Sequence, residues 1–310
     1  MPNIEVFINS TNKPQNLSDD PRVIVEHCRR ARAAPLPNLN KPRGIPVIDT
    51  PHTTVPYAWV KYGNSIQRGE AWMQHFVAST VNAHPMCPVR VPHIYLAFQW
   101  DDCVFIVMEY IHGSPCTFHD IPLVASAVCA LIQIQAPPAA DAAPAPLHGG
   151  FIEHPIFVDS IASVVYNSVA QLESHLTTLT FPTDPRAPGP RSDRRFRDRS
   201  EGAGLRLCPS DMDSPNFIRD MNGMIVAIDF GSSCFLPPSF FSHALHVATG
   251  SFPQLLAREI VTTYGYPRSA QLSNMLDAAY TLVPYGKNSI ALPDDLRMPP
   301  RRRNTDMTAS

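Results

Sequence analysis

Asp211-Met-Asp-Ser-Pro-Asn216 is followed thirteen residues later by Asp229-Phe230-Gly231, which ends the apolar run Met224-Ile-Val-Ala-Ile228. An acid such as Asp211 can position a hydroxyl and take its proton. An amide oxygen five residues on, Asn216, and a second carboxylate at a strand end, Asp229, can hold magnesium on nucleotide phosphates. Transfer of a phosphoryl group to an alcohol needs that set at that spacing. Each piece has a plainer reading: an Asp before Pro215 can simply cap a turn, and an Asp-containing turn after a strand is common. The three residues in register argue for chemistry, while Asp213 between them is placed only for a supporting contact.

These groups need elements to hold them. Residues 21–34 carry helix formers behind Asp19-Asp20, with Pro21 in a first-turn position. Ile45–Ile48 and Val55–Tyr62 are rich in β-branched and aromatic residues and read as strands, the second ending near Lys61. Residues 68–82 place Trp72, Phe76 and Val77 at helical spacing, with Glu70 in the first turn. Val91–Trp100 and Cys103–Ile111 read as strands joined by a turn at Asp101-Asp102. Beyond Gly113 the period lengthens, and helices are expected over 120–136, 157–179, 239–265 and 268–282, interrupted only by a hairpin at Asn222-Gly223. The expected architecture is α+β and two-lobed: a small antiparallel β-rich lobe over 1–113 and a mainly helical lobe over 114–298. The Arg-rich, mixed-charge insert 181–204 reads as a mobile surface loop, and the tail 299–310 as disordered.

Bulk properties narrow the setting. With 310 residues and 44% hydrophobic content the chain can bury a sizeable core. A net charge of −2 gives no global field to recruit nucleic acid or an anionic membrane. No run of eighteen uncharged apolar residues occurs, and the N-terminus lacks a basic segment followed by an apolar core. The seven Cys are scattered, with no Cys-x-x-Cys pair, and read as reduced thiols of a cytoplasmic protein. The 33 prolines gather in the connections and stiffen them.

Five segments, in order, carry a resemblance: Tyr57-Ala-Trp-Val-Lys61-Tyr-Gly, Gly69-Glu70-Ala, Phe105-Ile-Val-Met-Glu-Tyr-Ile-His-Gly113, Ser210-Asp-Met-Asp-Ser-Pro-Asn216-Phe and Ile228-Asp-Phe-Gly-Ser232. Over residues 45–265 the chain resembles the aminoglycoside phosphotransferase and choline kinase-like branch of the protein-kinase-like fold, above all its fungal members. The resemblance implies ATP and Mg²⁺ as cofactors and a small-molecule acceptor. It implies Asp211 as the acid orienting the acceptor hydroxyl, and Asn216 and Asp229 as metal ligands with Phe230 packed beneath. Lys61 would neutralise the α- and β-phosphates, held by Glu70. Glu109, Tyr110 and Ile111 would form the hinge whose backbone meets the adenine, with Met108 facing the base.

The chain departs from that pattern in three places. Pro209-Ser210 stands where the family has His-Gly before the catalytic acid, so Ser210 must hold the loop through its hydroxyl or the loop is held otherwise. Between Pro35 and Val60 the single glycine is Gly44, which leaves Thr53-Thr54 as substitute donors for phosphate. No Ala-Pro-Glu segment follows Asp229; the run Ser232–Phe241 reads as a buried, rigid connection, which favours a small-molecule acceptor over a protein. A second reading, a kinase-like binding module without turnover that meets a protein partner, follows from the first two departures. A nucleophile hydrolase finds no Gly-x-Ser-x-Gly.

Overall fold

Strand β6 (Cys103–Glu109) is apolar on both faces, and the fold buries both. Phe105 and Val107 join a cluster with Ile24, Val25 and Cys28 of helix α1 (Pro21–Arg32). Val104, Ile106 and Met108 face the other way, toward Ala71 of helix α2 (Arg68–Val81). With β1 (Ile4–Asn9), β2 (Arg43–Ile48), β3 (Pro56–Gly63) and β5 (Ile94–Trp100), β6 forms a five-stranded antiparallel sheet ordered β1-β5-β6-β3-β2. The computed structural model describes residues 3–32, 43–48, 54–138, 143–180, 196 and 204–297. Thr53, the tail 299–310 and the insert 181–204, apart from Phe196 and Gly204, lie outside them.

The remainder is mainly helical: α3 (Ile121–Leu131), α4 (Val169–Thr180), α5 (Pro238–His246), α6 (Ser251–Thr263) and α7 (Leu272–Leu282). Val128, Leu176, Phe240, Leu256 and Met275 meet in one buried cluster that also takes in Met73 and Val77 of α2. Helix α2 therefore serves two cores, with Ala71 on the sheet and Met73 and Val77 on the helices. The architecture is α+β and two-lobed, as the sequence predicted.

The expected hairpin about Asn222-Gly223 forms from β9 (Phe217–Asp220) and β10 (Ile225–Ala227), and there is more strand besides. β4 (Val89–Arg90), β7 (Gly113–Pro115), β9 and β10 form a four-stranded sheet, and β8 (Arg206–Pro209) pairs with β11 (Ser233–Leu236). The buried run after Asp229 is thus a strand leading into α5.

Several helices are shorter than their periodicity suggests. The expected helix over 157–179 begins only at Val169, because Asn288 captures the preceding backbone: its Oδ1 accepts from Val158 N, and its Nδ2 donates to the Val158 and Ile161 carbonyls. The run 239–265 breaks into α5 and α6 before Gly250, which sits at φ 90°. After α3, Ile134 accepts from Leu207 N and Gln135 bridges Arg206, so the chain leaves the helix to pair beside β8. Helix α7 starts at Leu272 rather than Arg268.

No helix among the described residues is long and apolar enough to cross a membrane.

The chain leaves the first sheet through Gly113, where close packing demands the glycine. A Cβ there would stand 2.3 Å from the Arg219 carbonyl oxygen and 2.9 Å from Asp220 Cα, both backbone atoms of β9. Gly113→Ala must prise β7 from β9 and is expected to lower stability by about 1–3 kcal/mol, read as a lower urea midpoint; an unchanged midpoint would mean the two strands separate freely.

Candidate active site

The pleat of β3 sorts its side chains. Ala58, Val60 and Tyr62 enter the α1-side cluster, so Trp59 and Lys61 face α2. Glu70, in the first turn of α2, is buried there. Lys61 Nζ donates to Glu70 Oε1 at 2.5 Å and to Asp229 Oδ1 at 2.8 Å. Three of the sequence-derived site residues thus meet at one ammonium.

Asp229 and Asn216 are held by backbone geometry. The β9–β10 hairpin closes with Ile228 N donating to the Asn216 carbonyl at 2.9 Å, which sets Asn216 one residue from Asp229. Asp229 adopts φ 61°, a left-handed conformation with a cost for a residue other than glycine. It is held by Lys61 and by Gly231 N, which donates to its Oδ1 at 3.3 Å. Phe230 turns inward and is 3% exposed.

Asp211 is exposed just beyond β8. Its carbonyl accepts from Asn216 Nδ2, and its Oδ1 accepts from Asp213 N, each at 3.3 Å. Asp213 caps the short turn Ser214–Asn216, with its Oδ1 accepting from Ser214 N at 2.8 Å. The Ser210 hydroxyl is buried beside the Cys208 thiol of β8 and makes no bond to the loop, so it does not order it. The loop is instead held through the main chain, by Ser210 N donating to the Ser232 carbonyl at 3.0 Å and by the β8–β11 ladder.

Two cavities flank these groups. One of about 630 Å³ is lined by Trp59, Lys61, Glu70, Met108, Tyr110 and Asp229, with Glu109 and Ile111 at its edge. The other, of about 320 Å³, is lined by Glu153, Asp211, Asp213 and Ser232. The Glu109 carboxylate is engaged by Arg90 Nη2 at 2.8 Å and by His93 N at 3.3 Å. A ligand at this edge would therefore meet neither the charge of Glu109 nor its N–H, which donates to the His93 carbonyl at 2.8 Å.

Burial works against the Lys61 charge, but Glu70 and Asp229 outweigh it and hold the ammonium above its ordinary value. Burial pushes the Glu70 carboxyl up to about 7, with Lys61 pulling the other way. Glu153 is also raised by burial, the Ser232 hydroxyl opposing.

Among the described residues no group of three or more His, Cys, Asp or Glu is placed to hold a metal unaided. Magnesium bound to a nucleotide needs only one or two protein oxygens, because phosphates and water complete its shell. The Asp229 carboxylate and the Asn216 amide oxygen, which has no partner among the described residues, fit that need.

Three lining residues were missed from sequence. Trp59 lies flat on Gly44, where a Cβ would be 2.1 Å from its Cζ2, and its ring centroid is 6.2 Å from that of Tyr110. Gln74 is fully buried at the cavity, its Nε2 donating to the Pro92 carbonyl at 3.1 Å while Oε1 has no partner. A glutamine on an otherwise apolar helix face was the available signal. Glu153 gave none, because its partners are distant in sequence.

No family model matches the chain, and no curated protein does. Similar solved structures include a thermostable mutant of the aminoglycoside phosphotransferase APH(4)-Ia in its apo form, 11% identical over 83% of this chain and 90% of that one, with a TM-score of 0.46. The streptomycin–ATP ternary complex of APH(2")-IIa is 14% identical over 84% and 87%, at 0.39. A candidate fructosamine-3-kinase from Haemophilus somnus is 14% identical over 76% and 80%, at 0.40. At such identities the chemistry has to be argued from this chain's own side chains.

The raised Glu70 carboxyl has a consequence for stability. The unfolded group releases its proton near 4.5 and the folded one near 7, so between those values the folded protein binds more protons. The stability Glu70 contributes is full below the lower value and is lost as pH rises to the upper one. Relative to Glu70→Gln, the unaltered protein should lose on the order of 2 kcal/mol between about pH 5 and 7.5 in urea unfolding. A pH-independent difference would mean that Glu70 ionises at its ordinary value.

Proposed function

We propose that this chain is an ATP- and Mg²⁺-dependent phosphotransferase that moves the γ-phosphoryl group to a hydroxyl of a small molecule. The observation that carries the reading is the Lys61 ammonium bridging Glu70 and Asp229, residues 9 and 168 positions away, at the wall of a 630 Å³ cavity. In this reading Lys61 meets the α- and β-phosphates and Glu70 fixes the lysine. Asn216 and Asp229 would hold Mg²⁺, which supplies charge neutralisation on the phosphates when bound. The base would stack near Trp59 and Tyr110 and meet the backbone of Glu109 and Ile111; among the described residues no backbone hydrogen bond engages Ile111. Asp211 faces the smaller cavity, where it would orient the acceptor hydroxyl and receive its proton.

The acceptor side has a charge preference. Glu153, Asp211 and Asp213 line that cavity, and no lysine or arginine does among the described residues. Its histidine, His154, is kept neutral by burial. An acceptor carrying hydroxyl groups and either no charge or positive charge suits this lining. Division of the chain near Gly113 and a cytoplasmic setting, on the scattered cysteines, belong to the same proposal.

A binding module without turnover is the second reading. The observation favouring it is that the Ser210 hydroxyl makes no bond to the Asp211 turn, which is left to main-chain bonds and to the short-range bonds of Asp211, Asp213 and Asn216.

Two measurements separate the readings. Mg·ATP should raise the melting temperature through mass action, and Asp229→Ala should remove the shift. Asp211→Asn should keep the shift while lowering transfer at least about 100-fold; undiminished transfer would refute its role, and a nucleotide shift without transfer in the unaltered protein would favour the binding module. In the same titrations Trp59 should lose emission as nucleotide binds, and Trp59→Phe should abolish that change, since Trp72 packs on Phe7 and Trp100 lies beside Arg29. An equal change in Trp59→Phe would place the base elsewhere.

A further inference from the structure

Residues 145–153 run from the helical lobe across to α2. At one end the Ala145 carbonyl accepts from Phe235 N of β11 at 2.9 Å. Along the way Leu147 N approaches Met73 Sδ at 3.1 Å, and the His148 ring lies 4.4 Å from Trp72. Pro146 packs so closely on α2 that a Cβ at Gly69 would be 3.0 Å from it.

Glu153 at the other end has both oxygens in use. Oε1 accepts from Gln67 Nε2 at 2.8 Å, and Oε2 accepts from Ser232 Oγ at 3.1 Å. Gln67 is the N-cap residue of α2 yet makes no side-chain capping bond, because its amide is turned to Glu153. Glu70 follows Gln67 by three positions, and Ser232 follows Asp229 by three. One carboxylate therefore ties together the two segments that bring acids to Lys61. An apolar tie between α2 and β11, Phe76 edge-on to Phe235 at 5.7 Å, lies about two and a half turns beyond Gln67.

We propose that Glu153 is a positioning residue that couples the start of α2 to the Asp229 turn, so that Glu70 and Asp229 reach Lys61 together. Glu153 acts through Gln67 and Ser232 and has no part in the transfer itself. A carboxylate suits the task because it accepts from both donors at once, whereas a glutamine keeps both bonds only if the Ser232 hydroxyl reverses to accept from its amide. The proposal rests on the phosphotransferase reading only for its nucleotide readout.

The test compares Glu153→Ala and Glu153→Gln with the unaltered protein by amide hydrogen exchange, well below melting, together with Mg·ATP affinity. Glu153→Ala should raise exchange selectively in the first turns of α2 and in residues 230–236, and weaken Mg·ATP about tenfold, as loss of an orienting partner does elsewhere. Glu153→Gln should recover most of the protection and most of the affinity. Unchanged exchange in those two segments, or a rise spread evenly over the chain, would overturn the coupling. If Glu153→Ala does not fold, Gln67→Ala removes one arm of the bridge and is read the same way. No Mg·ATP response even in the unaltered protein would overturn the phosphotransferase reading, while the exchange pattern would still decide the coupling.

Discussion

An ammonium withdrawn from water must be paired, and the pairing of Lys61 organises this chain. Its side chain is 13% exposed and lies between two carboxylates. An ammonium this far from water is costly to leave unpaired, and it is met by buried Glu70 on one side and by the 43% exposed Asp229 on the other. That cost constrains three otherwise independent features. Strand β3 must keep the register that turns Lys61 toward α2, α2 must seat its first turn against the sheet, and the chain must return 168 residues later to deliver Asp229. The division of α2 between two hydrophobic cores follows from the same demand, since the helix has to be fixed relative to both lobes for Glu70 to stay in place.

Asp229 shows the strain this arrangement holds. A left-handed aspartate costs on the order of 1–3 kcal/mol and persists only where its surroundings over-determine it. Here a salt bridge, a bond from Gly231 N and the burial of Phe230 act on consecutive residues. The carboxylate is thereby held beside Asn216 with one oxygen turned to Lys61, a geometry set before any ligand arrives.

Legibility in the sequence followed how local each determinant is. The strands around Lys61 and the helix bearing Glu70 were readable because their apolar spacing reports burial directly. The 211–229 segment was readable because a tight hairpin fixes its spacing, with Ile228 closing on Asn216. β1 was missed because Ile8 is its only fully buried side chain, so it carries almost no alternation. The over-long helix before α4 failed because Asn288, about 130 positions away, claims the backbone. Glu153 escaped for the same reason, its partners Gln67 and Ser232 lying 86 and 79 residues distant.

The charge balance around Lys61 adds a further constraint. Glu70, Glu153, Asp211 and Asp229 line the two cavities, and Lys61 is the single lysine or arginine in their lining among the described residues. A nucleotide triphosphate brings more negative charge to a place where carboxylates already outnumber the ammonium. Burial relieves part of this by pushing Glu70 toward its protonated form, while Asp211 and Asp229 stand exposed. A polyanion can settle here only if cations arrive with it, and under the proposed function the oxygens of Asn216 and Asp229 would share such a divalent ion with the phosphates. In the proposed phosphotransferase, the acidic surplus that would repel a bare nucleotide would select its magnesium complex.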